Sequence, residues 1–189
     1  MCEVLAFKTG MGSGGTLGSI VGVYEAIEEI KPDCIIQVGI AFGLQKGKQN
    51  LCDILVSRQI CCYELQKITG TKRISRGDKI TASPLLIDRF EASSVSWTKC
   101  KVHFGLILSG EKLVNSASFR KQLKEMEEEA IGGEMEGAGM VASASKMIKE
   151  WILVKGVSDW GVSKGDKYQE KAAENAMEFV FYTLNSTIY

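Results

Sequence analysis

The sequence predicts an α/β fold. Short apolar runs of strand length alternate with stretches in which apolar residues recur at helical spacing, and glycine-rich turns separate the two kinds of segment. A third observation is the buried character of Trp151-Ile152-Leu153-Val154, a run suited to the centre of a sheet covered on both faces. With 189 residues, no internal repeat and no linker rich in Pro or Ser, residues 1–189 are expected to form one domain with a sizeable core.

Taken in order, residues 4–7 read as a strand and are followed by a glycine-rich turn. Ile20, Val23, Tyr24, Ile27 and Ile30 then mark a helix that ends at Lys31-Pro32-Asp33. Residues 34–38, 53–56 and 59–63 read as strands, whereas 63–83 is polar and irregular, an excursion expected over the ligand side. Pro84 opens a helix whose buried face is Leu85, Leu86 and Phe90. Residues 102–108 form a strand, 116–129 a charged amphipathic helix, 137–149 a helix packed through small residues and 151–157 the last core strand. Residues 171–184 close the chain as a helix with Ala172, Ala176, Phe179, Val180 and Leu184 inward.

Composition narrows the function classes. The 23 basic residues equal the 23 acidic ones, so no net charge draws the chain to nucleic acid or to an acidic membrane. The apolar runs are too short for a membrane span, and Met1-Cys2-Glu3-Val4-Leu5 lacks a signal-peptide pattern, which points to the cytoplasm. Cys2, Cys34, Cys52, Cys61, Cys62 and Cys100 are scattered without a Cys-x-x-Cys pair and read as reduced small hydrophobes. His103 is the lone histidine and precedes an apolar run, which suits a strand-entry residue better than a catalytic base. No metal and no cofactor are expected.

Gly10-Met11-Gly12-Ser13-Gly14-Gly15 satisfies G-x-G-x-x-G, yet the strand that follows its helix ends in Gly39-Ile40-Ala41-Phe42-Gly43 with no acid for a ribose. The alternative is a loop whose N–H groups face an anion or polar ligand. The more informative pattern is Gly133-Glu134-Met135-Glu136-Gly137 followed by Val157-Ser158-Asp159-Trp160. It puts two carboxylates at the entrance to a small-residue helix and an acid at the end of a buried strand. Ligands of parallel sheets bind beyond such strand ends, so a sugar-recognising group and a proton donor would converge there. Taken singly, Glu134 also reads as a solvated charge, Glu136 as a helix-start acid and Asp159 as a turn former.

These segments, with Lys8-Thr9-Gly10-Met11-Gly12, Lys31-Pro32-Asp33-Cys34-Ile35-Ile36-Gln37-Val38-Gly39 and Gly105-Leu106-Ile107-Leu108-Ser109-Gly110-Glu111, stand in an order that resembles the nucleoside phosphorylase and nucleosidase superfamily. The chain is most similar to methylthioadenosine/S-adenosylhomocysteine nucleosidases and to related domains of immune proteins, some of which cleave adenine nucleotides. The resemblance implies a three-layer αβα sandwich with a mixed central sheet, and cleavage of the N-glycosidic bond of a purine nucleoside or nucleotide by a protein that self-associates. It implies that Glu136 accepts hydrogen bonds from the ribose hydroxyls, that Met135 packs on the sugar and that Asp159, oriented by Ser158, is the general acid at purine N7. Gly12, Gly39, Ile40, Ala41 and Glu134 would complete the substrate site, with Val114 offering backbone groups to the base.

Departures from the family pattern shape the expectation further. Leu113 stands where nucleosidases often stack a Phe, and Gln37 and Ile40 replace the phosphate-binding Arg and Ser of phosphorylases, which favours water over phosphate as nucleophile. The family's first strand and the loop carrying its water-activating glutamate precede the point where this sequence starts, so a fragment or a shortened relative is expected. Phe42 and Trp160 are candidates for a self-association surface. Finally, Lys72, Arg73, Arg76 and Lys79 concentrate charge in the 63–83 excursion, where Arg73 and Arg76 would either hold a nucleotide's phosphates or be solvated.

Overall fold

In the computed structural model, which describes residues 3–70, 72–145, 147–148, 150–162 and 165–186, the alternating segments assemble into a mixed sheet with helices on both faces. Helix α1 (Ser19–Ile30) buries Val23 and Ile27. It stops at Lys31, whose left-handed conformation lets its N–H close on the Ile27 carbonyl, and Pro32 cannot continue the helix. Strands β1 (Cys34–Gly43) and β2 (Ile54–Cys62) follow, then a hairpin of β3 (Gln66–Thr69) and β4 (Lys72–Ser75), and a short β5 (Lys79–Thr81). Helix α2 (Pro84–Ser96) starts with proline in its first turn and with Ser83 Oγ accepting from Leu86 N, two devices that suit a helix N-terminus. The remainder is β6 (Val102–Ser109), α3 (Ala117–Met126), β7 (Gly132–Glu134), α4 (Gly137–Ala144), β8 (Glu150–Asp159), one 3-10 turn and α5 (Gln169–Asn185).

The strand order is β5-β2-β6-β7-β1-β8, and β8 also pairs with β2, so five strands close into a ring with β5 outside it. Strands β1 and β8 run together, and β2, β6 and β7 run against them. One edge of β2 is shared: Ile54, Leu55 and Val56 pair with β8, and Gln59, Ile60 and Cys61 pair with β5. The change of partner falls at a register irregularity between Ser57 and Gln59. Ser57 Oγ accepts from Leu153 N there, at 2.9 Å, so the corner leaves that buried N–H satisfied.

Successive residues of β8 face the two helical layers alternately. Leu153 and Lys155 point towards the start of α4, while Gly156 lies against Ala172 of α5. On the α5 side, Phe179 stacks edge-on with Phe90 of α2 at 5.6 Å and tilts against Trp97 at 5.2 Å. Phe90 and Phe179, both fully buried, each contribute about 1.5–3 kcal/mol of burial energy. A second apolar cluster, including Phe42, Leu44, Tyr63, Leu108, Val114 and Leu123, lies beneath α3.

Several expectations need correction. Residues 4–7 form no strand: among the described residues they pair with none, and Val4, Leu5 and Phe7 are about half exposed. An apolar run becomes a strand only where an edge accepts its hydrogen bonds. The strands expected at 53–56 and 59–63 are one strand, and the "irregular" 63–83 segment contains a hairpin and β5. Helix α3 ends three residues early, and α4 ends at Ala144 rather than 149. Phe42 is a core residue and Trp160 packs on the core, so neither offers an association surface. The sheet is mixed rather than parallel, with β1 and β8 running against β2, β6 and β7, yet the carboxyl ends of β1, β6, β7 and β8 meet at Phe42, Leu108, Gly133 and Asp159. Cys2, Thr71 and Lys149 lie outside the described residues, as does the side chain of Lys72.

A Cβ at Gly156 would stand 1.9 Å from the Ala172 carbonyl oxygen. Gly156→Ala should therefore push α5 off the sheet and cost about 1–3 kcal/mol or more, read as a lowered midpoint in urea; an unchanged midpoint would show that α5 does not depend on this contact.

Candidate functional site

The glycine-rich loop before α1 does cradle anions, but they are the chain's own carboxylates. Gly12, at φ +84°, donates its N–H to Glu136 Oε1 at 3.1 Å, and Ser13 N–H donates to both oxygens of Glu111 at 3.1 Å. The same loop is pinned to the start of α4 by Ser13 Oγ on the Met135 carbonyl at 3.1 Å and by Ser19 Oγ on the Glu136 carbonyl at 2.6 Å. Only glycine adopts the Gly12 conformation without strain.

Glu134 and Glu136, two residues apart, have different surroundings. The Glu134 side chain is 1% exposed and accepts the N–H groups of Glu136 and Gly137 at 2.9–3.0 Å, so it caps the first turn of α4 as a buried anion. The Glu136 side chain keeps 21% exposure. Between them lies Lys155, buried in the middle of β8, with Nζ 3.1 Å from Glu134 Oε2 and 3.3 Å from Glu136 Oε2. Burial pulls the ammonium's pKa down, but the two carboxylates outweigh it and hold the group above its ordinary range. The cluster thus carries one net negative charge.

Asp159 ends β8 at a place where the pairing with β1 slips by one residue, from Ala41 opposite Val157 to Phe42 opposite Asp159. The slip turns Ser158 inward. Its hydroxyl lies 2.9 Å from Asp159 Oδ2 and 3.3 Å from the Ala41 carbonyl, while Gly161 N–H donates to Asp159 Oδ1 at 2.7 Å. Phe42 is also the partner of Gly133 on β7. Gly133 and Asp159 therefore flank one β1 residue, two strand spacings apart, or about 10 Å.

The connection after β6 links the two carboxylate centres. At one end Glu111 sits on the Ser13 N–H, and Glu111 N–H itself donates to Glu64 at 2.9 Å. At the other end Val114 packs beside Gly161, and Ser116 N–H bonds the Gly161 carbonyl at 2.9 Å. Val114 is buried and Leu113 is exposed. Gly39 and Ile40 are half-buried on β1, with Gly39 directly beside the Lys155 ammonium, and Met135 is half-buried between the glutamates. Arg73 and Arg76 are exposed on and after the β3–β4 hairpin; the Arg73 guanidinium lies 6.0 Å from the Phe119 ring centre, and Arg76 N–H closes the hairpin base on the Leu65 carbonyl. His103 pairs with buried Asp53 at 2.9 Å at the start of β6 and takes no part here. Among the described residues no group of three or more His, Cys, Asp or Glu could hold a metal ion, and burial pushes up the Cys52, Cys61, Cys62 and Cys100 thiols.

Sequence reasoning missed Lys155, Ser13 and the role of Glu111. A signal for the first was present: a lysine inside Ile152-Leu153-Val154-Lys155-Gly156-Val157 is buried with its strand and must find a carboxylate.

A family model described as the phosphorylase superfamily matches residues 2–185. A death domain-containing ATP nucleosidase from Amphimedon queenslandica is 28% identical across 92% of this chain, which spans 38% of that longer relative. A 5'-methylthioadenosine/S-adenosylhomocysteine nucleosidase from Maridesulfovibrio salexigens is 25% identical over 96% of this chain and 81% of its own length. Among solved structures, the nucleosidase of that same description from Neisseria meningitidis, in complex with methylthio-immucillin-A, superposes with a TM-score of 0.82 at 22% identity, covering 95% of this chain and 79% of that one.

Removing the cation should expose the cost of this cluster. Lys155→Met leaves two carboxylates facing each other without a counter-ion, a loss of about 3–5 kcal/mol visible in thermal or urea unfolding. Because the folded-state pKa of Lys155 is raised, its contribution is complete below the ordinary lysine value of 10.5 and is lost only as pH climbs through the folded value. The stability difference between parent and variant should therefore stay constant from neutral pH to about pH 9; a difference that shrinks across that range would contradict the ion cluster.

Proposed function

Since the chain belongs to the phosphorylase superfamily, we propose that it hydrolyses the N-glycosidic bond of a purine nucleoside or nucleotide and releases the free base. The observation that carries this reading is the pairing of two held carboxylates, Glu136 and Asp159, at the two ends of the connection after β6. Relatives named as nucleosidases support it.

In this reading Glu136 accepts hydrogen bonds from the two ribose hydroxyls, since a carboxylate has lone pairs enough for vicinal donors beyond those it already serves. Met135 packs on the sugar, and Gly12, Gly39, Ile40 and Ala41 shape the cavity around it. Glu134 supports the site from within rather than touching substrate. Asp159 delivers a proton to purine N7 as the C–N bond breaks, so the base leaves neutral while the sugar passes through an oxocarbenium-like state. Ser158 Oγ and Gly161 N–H hold its two oxygens in place. Val114 offers backbone groups to the purine edge. Water rather than phosphate then adds to the anomeric carbon and gives up one proton, which restores the acid form of Asp159, in keeping with Gln37 and Ile40 at positions where phosphorylases carry an Arg and a Ser.

Substrate charge is the finer part of the proposal. The name of the Amphimedon queenslandica relative includes ATP, and Arg73 and Arg76 stand exposed on the excursion whose stem adjoins Glu64 and Glu111, where they would reach a polyphosphate. Self-association in the cytoplasm belongs to the same reading, with the exposed apolar residues Ile20, Val21 and Tyr24 of α1 taking the place of Phe42 and Trp160. No helix among the described residues is long and apolar enough to cross a membrane.

Incubation with adenosine, methylthioadenosine, inosine and ATP, with and without phosphate, should yield free base without phosphate. Ribose 1-phosphate formed only with phosphate would point to phosphorolysis instead, and saturable binding without product to an inactive binding module. Asp159→Asn should slow base release by about 10²–10⁴-fold, and unchanged turnover would remove Asp159 from the mechanism. If ATP is the substrate, Arg73→Ala/Arg76→Ala should raise KM for ATP and leave adenosine unaffected; equal KM values for parent and variant would discard the phosphate role. Sedimentation at micromolar concentration is expected to show a dimer, against which a monomer at every concentration would count.

A further inference from the structure

A buried ammonium needs one carboxylate for neutrality. Lys155 has two. Glu134, sealed beside it at 3.1 Å, already supplies that charge. The second contact reaches Glu136, whose side chain is partly exposed and whose burial therefore demands no cation. Space is kept for this reach: a Cβ at Gly39 on the neighbouring strand would stand 3.2 Å from Nζ, tighter than ordinary van der Waals contact. On the far side of the carboxylate, Gly12 N–H holds Oε1 at 3.1 Å. One donor on each oxygen, one from the β8 side and one from the loop before α1, removes the rotation that a glutamate at the end of its flexible chain otherwise has.

We propose that Lys155 is a positioning residue for Glu136: it clamps Oε2 from inside the sheet so that the carboxylate keeps a single orientation, with its remaining lone pairs turned to the vicinal hydroxyls of a bound sugar. The identity of the ligand rests on the function proposed above, whereas the clamp stands on the geometry alone. Lys155 does not touch substrate, and it acts through Glu136.

The test separates this role from mere neutralisation of Glu134. Lys155→Met/Glu134→Gln removes the buried pair together, so the interior stays neutral and the unfolding midpoint should return most of the way to the parent's. If the lysine clamps Glu136, the double variant still loses the hydrogen bond at Gly12: its amide proton moves upfield and exchanges about tenfold faster or more, the effect of losing a hydrogen bond to a fixed charged group. KM for the cleaved nucleoside rises by a similar factor, with a smaller change in kcat, and Lys155→Arg restores both readouts. Parent values for the Gly12 amide and for KM in the double variant would overturn the proposal, leaving the lysine as the partner of Glu134 only. Should that variant not fold, Glu136→Gln, which changes little volume, answers from the other side. It should lower the pH at which the Lys155 ammonium titrates, followed by the lysine Cε resonance, and an unmoved titration would equally overturn the clamp. If the parent cleaves and binds no nucleoside, the functional reading fails on its own, and the Gly12 amide still decides the clamp without any ligand.

Discussion

A lysine ammonium enclosed in the middle of an apolar strand constrains everything around it. Desolvating an ion costs several kcal/mol even after relaxation, so Lys155 tolerates its position in β8 only if anions are delivered to it by other elements. Glu134 ends β7 and Glu136 is the N-cap residue of α4, which fixes where that short strand and helix sit. The three-residue β7, with two glycines, has little tendency to be a strand by itself; it exists as a wedge between β1 and β6 that brings its acid to the lysine. Gly39 on β1 is without a side chain at the level where the lysine crosses. The loop before α1 is seated on the same carboxylate through Gly12.

The same economy governs the other acids of the region. Glu111 takes the Ser13 N–H, Glu134 takes two N–H groups of the first turn of α4, and Asp159 takes the Gly161 N–H and lies within hydrogen-bond distance of Ser158 Oγ. Each carboxylate is held by donors on its own turn or on a loop folded over it, and fixed donors are what keep a functional group in one geometry. Closure of the sheet through β2 and β8 makes this possible. Although β6 and β7 run against β1 and β8, their carboxyl ends lie side by side, and the connection after β6 extends from the glutamate cluster to the turn after Asp159.

Much of the fold was legible in the residues. The 3.6-residue period of α1 and α5, the proline and serine that start α2, and the apolar runs of β1, β6 and β8 act locally, through propensity, capping and burial, and their elements appear within a few residues of where the sequence put them. Strand assignments failed where a neighbour decides the outcome. Val4, Leu5 and Phe7 are good strand residues without a partner among the described residues, Gln66–Thr69 and Lys72–Ser75 are poor ones that pair with each other, and one strand runs through the corner at Ser57 where two were expected.

For the candidate site, the Glu-Met-Glu and Ser-Asp patterns were readable because each depends on a short run of residues, and Ser158 does lie against Asp159 as their adjacency suggested. What the amino-acid sequence by itself determined is the inventory: which acids exist, which of them follow strands or begin helices, and that a lysine interrupts an apolar run. Only the tertiary structure decided that Glu134 is sealed while Glu136 is open, that the glycine-rich loop serves the chain's own carboxylates, and that Lys155 stands between them. The physical reason is that charge interactions depend on distances across strands and loops up to 124 residues apart in the chain, and these distances are set by the register and closure of the sheet rather than by any local pattern.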